Sequence, residues 1–122
     1  MVRTWTEIVA DIAEIRISIG NQQFTSALAG IEAVASSIAN APAHHGLHGW
    51  TAMHDLCIQQ ADVAPYSASY LRLSPQSSGL VEFRYFDTMI DQKQWNRTVP
   101  PEQAMERFST FLDQLHWISK RG

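Results

Sequence analysis

Three histidines that stand close together in the chain are its most obvious candidates for chemistry. His44, His45 and His48 fall within five positions, and neutral imidazoles at such a spacing can ligate a transition metal. No cysteine or acid lies in the surrounding residues 40–50 to complete a ligand set. One proline and two glycines indicate that this stretch is a loop, without the rigidity of a preformed metal site. We therefore expect a polar loop and no bound metal.

A cysteine with a nearby histidine is the second candidate. Cys57 is the one cysteine in the chain, and His54 precedes it by three residues. A nucleophile of this kind also needs an orienting group and an oxyanion site, and the sequence marks neither. Leu56 and Ile58 flank the thiol, which favours a buried, structural cysteine. A lone cysteine also excludes an internal disulfide and suits a reducing compartment.

The remaining signatures of catalysis are missing or incomplete. The sequence contains neither the Gly-x-Ser-x-Gly elbow of serine hydrolases nor a glycine-rich phosphate loop. Asp87 and Asp91 form a pair of carboxylates, but they fall in a polar connection where solvent should keep both ionised. Asn96-Arg97-Thr98 matches a glycosylation sequon, and because we expect no secretory signal we interpret the match as chance. We expect a protein that is not an enzyme and has no cofactor.

Composition narrows the class of protein further. Apolar residues make up 45% of the 122 residues and charged residues 17%, which is typical of one folded domain over residues 1–122. The net charge is −3, and acids outnumber bases six to two in residues 1–70. This balance disfavours nucleic acid as a partner and is compatible with a basic protein. Acids interrupt the N-terminal apolar positions and no stretch reaches the ~20 apolar residues of a membrane span, so we expect a cytoplasmic protein without a membrane partner.

The elements that must position any site begin with two helices. Thr4 and Glu7 fit a capping box, after which apolar residues recur at three- and four-residue steps up to Ile19. A second amphipathic helix is predicted over residues 22–38, and the short Gly-Asn join between the two favours a helical hairpin. Thr51 could cap a short third helix that ends before Pro65.

The second half of the chain has the pattern of a sheet. Alternating apolar positions predict strands over residues 66–73, 80–88 and 94–99, with the turn-forming residues 74–79 between the first two. A last helix begins near Pro101 and carries an apolar stripe: Ala104, Met105, Phe108, Phe111, Leu112, Leu115 and Ile118. The predicted fold is α+β, with an N-terminal helical hairpin, a three-stranded antiparallel sheet and a C-terminal helix packed on the sheet.

This C-terminal layout resembles a known class of proteins. The strand LVEFRYF from Leu80, the strand with Trp95 in the sequence QWNR, and the closing helix with its Phe-x-x-Phe-Leu-x-x-Leu stripe are similar to parts of some bacterial immunity proteins. These belong to contact-dependent growth inhibition and related polymorphic toxin systems. The likeness covers about 40 residues and is one of layout. It implies a cytoplasmic protein that binds and blocks one cognate toxin domain, often a nuclease.

A candidate binding surface follows from the charges and aromatic residues. Nuclease toxins carry positive substrate sites, so we expect an acidic surface on the inhibitor. Helical periodicity directs three acids of the first helix away from the core, and the connection between the last two strands adds two more, beside one tryptophan. The predicted partner-binding residues are Glu7, Asp11, Glu14, Asp87, Asp91 and Trp95.

Two other functions are open on sequence alone, and so is the oligomeric state. One is a small enzyme or a metal- or ligand-binding domain that uses the His44–Cys57 region. The other is an adaptor or subunit of a larger complex that has no connection with toxins. An immunity gene should directly follow a large toxin gene. This gene order distinguishes an immunity protein from both alternatives.

Overall fold

The chain forms an α+β fold in which helices precede and follow an antiparallel sheet. The computed structural model describes residues 4–40, 47–60, 68–86 and 95–115, and it describes residues 114 and 115 by their backbone alone. Within these ranges the elements are α1 (Trp5–Ser18), α2 (Gln22–Asn40), β1 (His48–Ala52), β2 (Asp55–Gln59), β3 (Tyr70–Pro75), β4 (Val81–Phe86), β5 (Trp95–Val99), a 3-10 turn (Pro101–Gln103) and α3 (Ala104–Leu115).

Local capping explains where the first two helices begin. The Thr4 hydroxyl accepts a hydrogen bond from the Glu7 backbone N–H at 3.2 Å, and the Glu7 carboxylate accepts one from the Thr4 N–H at 3.3 Å. Asn21 caps α2 by accepting a hydrogen bond from the Phe24 N–H at 2.9 Å. The helices also share an ion pair between Arg16 and Glu32, at 2.6 Å. The predicted capping box and helical hairpin are confirmed.

The sheet has five strands in the described residues, not the three that the sequence predicted. They form a meander in the order β1-β2-β3-β4-β5, and every neighbouring pair is antiparallel. β3, β4 and β5 occupy the described parts of the three predicted strands, and β1 and β2 are the additional pair. The α+β class and the antiparallel pairing are confirmed.

The prediction of a short third helix from Thr51 is therefore wrong, because β1 and β2 occupy these residues. The loop predicted over residues 40–50 is also too long, since β1 begins at His48. Ala52 pairs with Asp55, so residues 53–54 form a two-residue hairpin turn. Neither Met53 nor His54 is a typical turn residue. β2 also buries four consecutive residues, which removes the alternation that usually marks a strand.

The three helices lie on one face of the sheet and enclose the core. α1 packs near β1, while α2 lies over β3 and β4. Phe111 of α3 packs on Phe83 of β4, with ring centroids 5.3 Å apart. The buried strand residues on this face include Leu56, Ile58, Leu71, Leu73, Val81 and Phe83. Leu115 and Ile118 of the predicted apolar stripe fall outside the described side chains, and the other members of the stripe are buried or packed against the core.

One end of the domain is formed by two hairpin turns of the sheet and by the join between α1 and α2. Because the strands alternate in direction, the β1–β2 and β3–β4 turns share one end. The start of α2 lies there too, since the His54 ring packs edge-on against Phe24 at 5.4 Å and Gly79 lies beside Gln23. We call this end, with the α1–α2 join, the turn end.

Candidate functional site

Two of the three predicted acids on α1 are exposed. Glu7 and Glu14 face solvent and Asp11 is half-buried, and the three are spaced so that they fall along one side of the helix. Arg16 lies on the other side of α1, where it reaches Glu32 of α2. Glu7 also completes the capping box. We call these three acids the α1 row.

A second row of acids, which sequence analysis did not single out, lies on the last helix and on the 3-10 turn that precedes it. Glu102, Glu106 and Asp113 are exposed. Their spacing places them opposite the buried side chains of Ala104 and Phe108. The same periodicity that revealed the apolar stripe of this helix could have identified them. We call these acids the α3 row.

The two rows make the helical layer strongly acidic. α1, α2, the 3-10 turn and α3 carry seven acids against Arg16 and Arg107, a net charge of −5. The strands and their described turns carry Asp55 and Glu82 against three arginines, a net charge of +1. Among the described residues, the helical layer is therefore strongly negative and the sheet is slightly positive. The net charge of −3 for the whole chain does not reveal this difference.

The arginines of the sheet are largely committed to ion pairs. Arg72 and Arg84 stand directly opposite each other on β3 and β4. Asp55 contacts both, with its Oδ2 atom 2.6 Å from Arg72 Nε and 3.7 Å from Arg84 Nη2. Arg84 also donates to the Ser74 hydroxyl at 3.0 Å and lies 3.7 Å from a Glu82 oxygen. This network holds the face of the sheet opposite the helices near neutrality.

Trp95 is half-buried at the start of β5. Its ring lies 4.1 Å from the Phe111 ring and is stacked with Tyr85 at 5.7 Å between centroids. An open depression of about 260 Å³ adjoins it, lined by Arg84, Tyr85, Phe86, Trp95 and Asn96. Trp95 thus contributes much of its surface to the core and leaves only part for a partner.

Among the predicted binding residues that the structure describes, Trp95 lies apart from the α1 row. α1 packs near β1 and Trp95 belongs to β5, the opposite edge strand, about 19 Å away across four inter-strand spacings. Asp87 and Asp91 lie outside the described residues. The three acids of the α1 row lie on one side of the same helix. The α3 row, which is also negatively charged, belongs to the same helical layer.

The histidine and cysteine candidates are separated by the strands. His48 begins β1, His54 lies in the following turn and Cys57 is buried in β2. His44 and His45 fall outside the described residues. Among the residues that the structure describes, no three His, Cys, Asp or Glu side chains are grouped so that they could hold a metal ion. The burial expected for Cys57 is confirmed.

Comparison with known proteins gives no match to any family model, curated protein or solved structure. In the described part of the chain, no helix is both long enough and apolar enough to cross a membrane. The geometry and charge of the described residues therefore carry the functional argument.

Proposed function

We propose that this protein is a protein-binding module that neutralises a cognate, basic toxin domain, as an immunity protein does. The observation that carries the proposal is the segregation of charge, with −5 on the helical layer and +1 on the sheet. A field of one sign over one face speeds encounter with an oppositely charged partner and orients it. A nuclease domain, whose substrate site attracts phosphate, is a partner of that kind.

The α1 row and the α3 row are the proposed contact residues. α2 lies between the two helices, and its exposed residues are small or uncharged, including Ser26, Ala29 and Ala33. A basic surface can approach such a layer without a bulky side chain in its path. Trp95 then has a secondary part in binding, because its ring already packs against Phe111.

The first test is co-expression with the toxin domain encoded by the gene directly upstream. The two chains should co-purify, and the toxin's activity should be lost in the complex. Failure to co-purify contradicts the immunity function itself, whatever surface is used.

The second test separates the two rows by removing charge without changing side-chain size. One variant carries Glu7→Gln, Asp11→Asn and Glu14→Gln, since glutamine preserves the capping box. Another carries Glu102→Gln, Glu106→Gln and Asp113→Asn. We expect each variant to lower the association rate by about tenfold and to weaken its dependence on salt.

A control distinguishes the position of the charges from their number. Adding Ser77→Glu and Ser78→Glu to the α1-row variant restores two negative charges at exposed sites of the β3–β4 turn, outside the helical layer. Association should remain slow if the α1 row itself contacts the partner. Association rates that are unchanged in both row variants contradict the choice of the helical layer.

A further inference from the structure

The last strand forms an open edge of the sheet. β5 pairs with β4 alone among the described residues, and an edge strand has backbone hydrogen-bonding groups directed away from the sheet. Asn96, Arg97 and Thr98, which form the middle of the strand, are all exposed. Neither face of β5 is therefore covered at its centre, and the edge between these faces is accessible to an extended chain.

The opposite edge of the sheet differs, because α1 lies against it. Gly49 and Trp50 of β1 are buried. The Trp5 indole N–H donates to the Leu47 carbonyl at 2.9 Å, directly before the strand begins. Proteins commonly protect an edge strand by covering it in this way. In the described part of the chain, β5 is thus the edge at which an additional strand fits.

Arg97 gives this edge an unbalanced positive charge. Asp55 contacts both Arg72 and Arg84, and Glu82 contacts Arg84 as well. Arg97 has no ion-pair partner among the residues that the structure describes. The net charge of +1 on the sheet therefore resides on Arg97.

The register of β5 places Arg97 on the helical side of the sheet. It pairs with Phe83, whose side chain lies in the core, and it alternates along the strand with Trp95 and Val99. A charge in such a position limits the pairing of edges between two copies of the chain. The antiparallel register that aligns all five residues of β5 with a second β5 places Arg97 opposite Arg97, and like charges in that position are destabilising.

We propose that β5 is a docking edge for an extended acidic segment of a partner protein, which adds to the sheet as a further strand. Main-chain hydrogen bonds along the edge supply affinity, and the side chains beside Arg97 and its neighbours supply specificity. A carboxylate directly opposite Arg97 forms a cross-strand ion pair and balances its charge. The docking edge belongs to the sheet and is independent of the function proposed for the helical layer.

The neighbours of Arg97 define the rest of the partner segment. Residues two positions either side of the acid lie beside Trp95 and Val99, which pack in or against the core, so apolar side chains suit these positions. The open depression next to Trp95, at the end of β5 away from the turn end, offers space for one of them. Residues directly beside the acid lie next to the exposed Asn96 and Thr98, where a hydroxyl or amide group fits. The segment therefore alternates as apolar, polar, acidic, polar, apolar.

Nuclear magnetic resonance titration of the isotope-labelled full chain with synthetic peptides tests the docking edge. The first probe is a peptide with blocked ends and the sequence Thr-Val-Thr-Glu-Thr-Val-Thr, and the second carries lysine in place of the glutamate. The glutamate peptide should bind with a dissociation constant of about 0.1–1 mM, since a short flexible segment loses conformational freedom on binding. Amide shifts should change mainly in β5 and β4, and the lysine peptide should bind about fivefold more weakly.

Reversing the charge at the edge should reverse the preference. The Arg97→Glu variant should bind the lysine peptide about fivefold more tightly than the glutamate peptide. Thr6→Glu combined with Ala10→Glu changes the net charge by the same amount at exposed positions of α1, beside the other edge of the sheet. This control should keep the preference of the wild type. Circular dichroism checks that each variant is folded.

Methylated peptides distinguish strand addition from the docking of side chains alone. Alternate N–H groups of an added strand face β5, and those between them face solvent. The glutamate peptide is therefore methylated either at the amide nitrogen of the glutamate or at that of the next threonine. One of the two should bind at least about tenfold more weakly, whereas the other should bind almost as well as the parent peptide.

Four results overturn the proposal. They are the absence of binding by the glutamate peptide at several millimolar, equal affinity for the glutamate and lysine peptides, and equal affinity of the two methylated peptides. The fourth is dimerisation of the wild-type chain through β5, seen as a rise in mass from 13.7 kDa with amide shifts in that strand. In that case a second copy occupies the edge.

Discussion

Gly49 of β1 lies directly under the side chain of Trp5 on α1. The Trp5 indole N–H donates to the Leu47 carbonyl at 2.9 Å, which brings its ring onto the start of β1. A Cβ atom at Gly49 would stand 2.5 Å from the Trp5 ring and 3.1 Å from the Cys57 carbonyl oxygen. Glycine at this position therefore permits the contact between α1 and the edge of the sheet.

Replacing Gly49 by alanine should lower the free energy of unfolding by about 1–3 kcal/mol, because the ring or the strand must shift to admit the new methyl group. Urea unfolding measures the loss. Gly20→Ala is the matched control, since a Cβ atom there meets nothing within 4 Å. That variant should be neutral or gain up to about 1 kcal/mol from the less flexible unfolded chain. Equal effects of the two substitutions contradict the close packing of Trp5 on Gly49.

At the scale of elements, a single carboxylate joins three strands. Asp55 at the start of β2 is within ion-pair distance of Arg72 on β3 and Arg84 on β4, which stand directly opposite each other. Like charges in such cross-strand positions destabilise a sheet unless an opposite charge lies between them. Asp55 supplies that charge and links β2 to both β3 and β4.

Asp55→Asn should destabilise the protein by about 1–2 kcal/mol, since it leaves two half-buried guanidinium groups without their shared partner. Thermal unfolding in chloride and in sulfate provides the measurement, because a sulfate ion can replace the lost carboxylate and stabilise the variant more than the wild type. Glu82→Gln makes the same chemical change at a 3.7 Å contact, and it should cost less than half as much. A larger loss for Glu82→Gln refutes the central role of Asp55.

The elements also show what the sequence could and could not predict. The helices carry long 3.6-residue periodicity and identifiable caps, so α1, α2 and α3 followed from the pattern alone. The β1–β2 hairpin was missed because its turn is Met53-His54 and because β2 is buried on both faces. The exposure of Glu7 and Glu14 was predictable from the periodicity of one helix. The distance of Trp95 from the α1 row depends on the order of five strands, which local patterns do not encode.

For the molecule as a whole, one hydrophobic core receives side chains from every helix and from β2 to β5. Its buried members include Ile12, Leu28, Leu56, Val99 and Phe108. A shared core of this kind favours cooperative unfolding. Far-ultraviolet circular dichroism, which reports mainly on the helices, and tryptophan fluorescence should therefore give the same urea midpoint. Midpoints that differ beyond experimental error indicate that the helical pair separates before the sheet unfolds.

The order of the elements along the chain has a consequence for protein synthesis. α1 and α2 leave the ribosome before any strand, yet the apolar face that contains Ile8 and Ile31 is buried only against the sheet and its neighbours. A ribosome adds about 5–20 residues per second, so the 46 residues from Asn40 to Phe86 take roughly 2–9 s. For that interval the nascent helical hairpin presents an uncovered apolar face, which is the surface that a chaperone specific for short apolar segments binds.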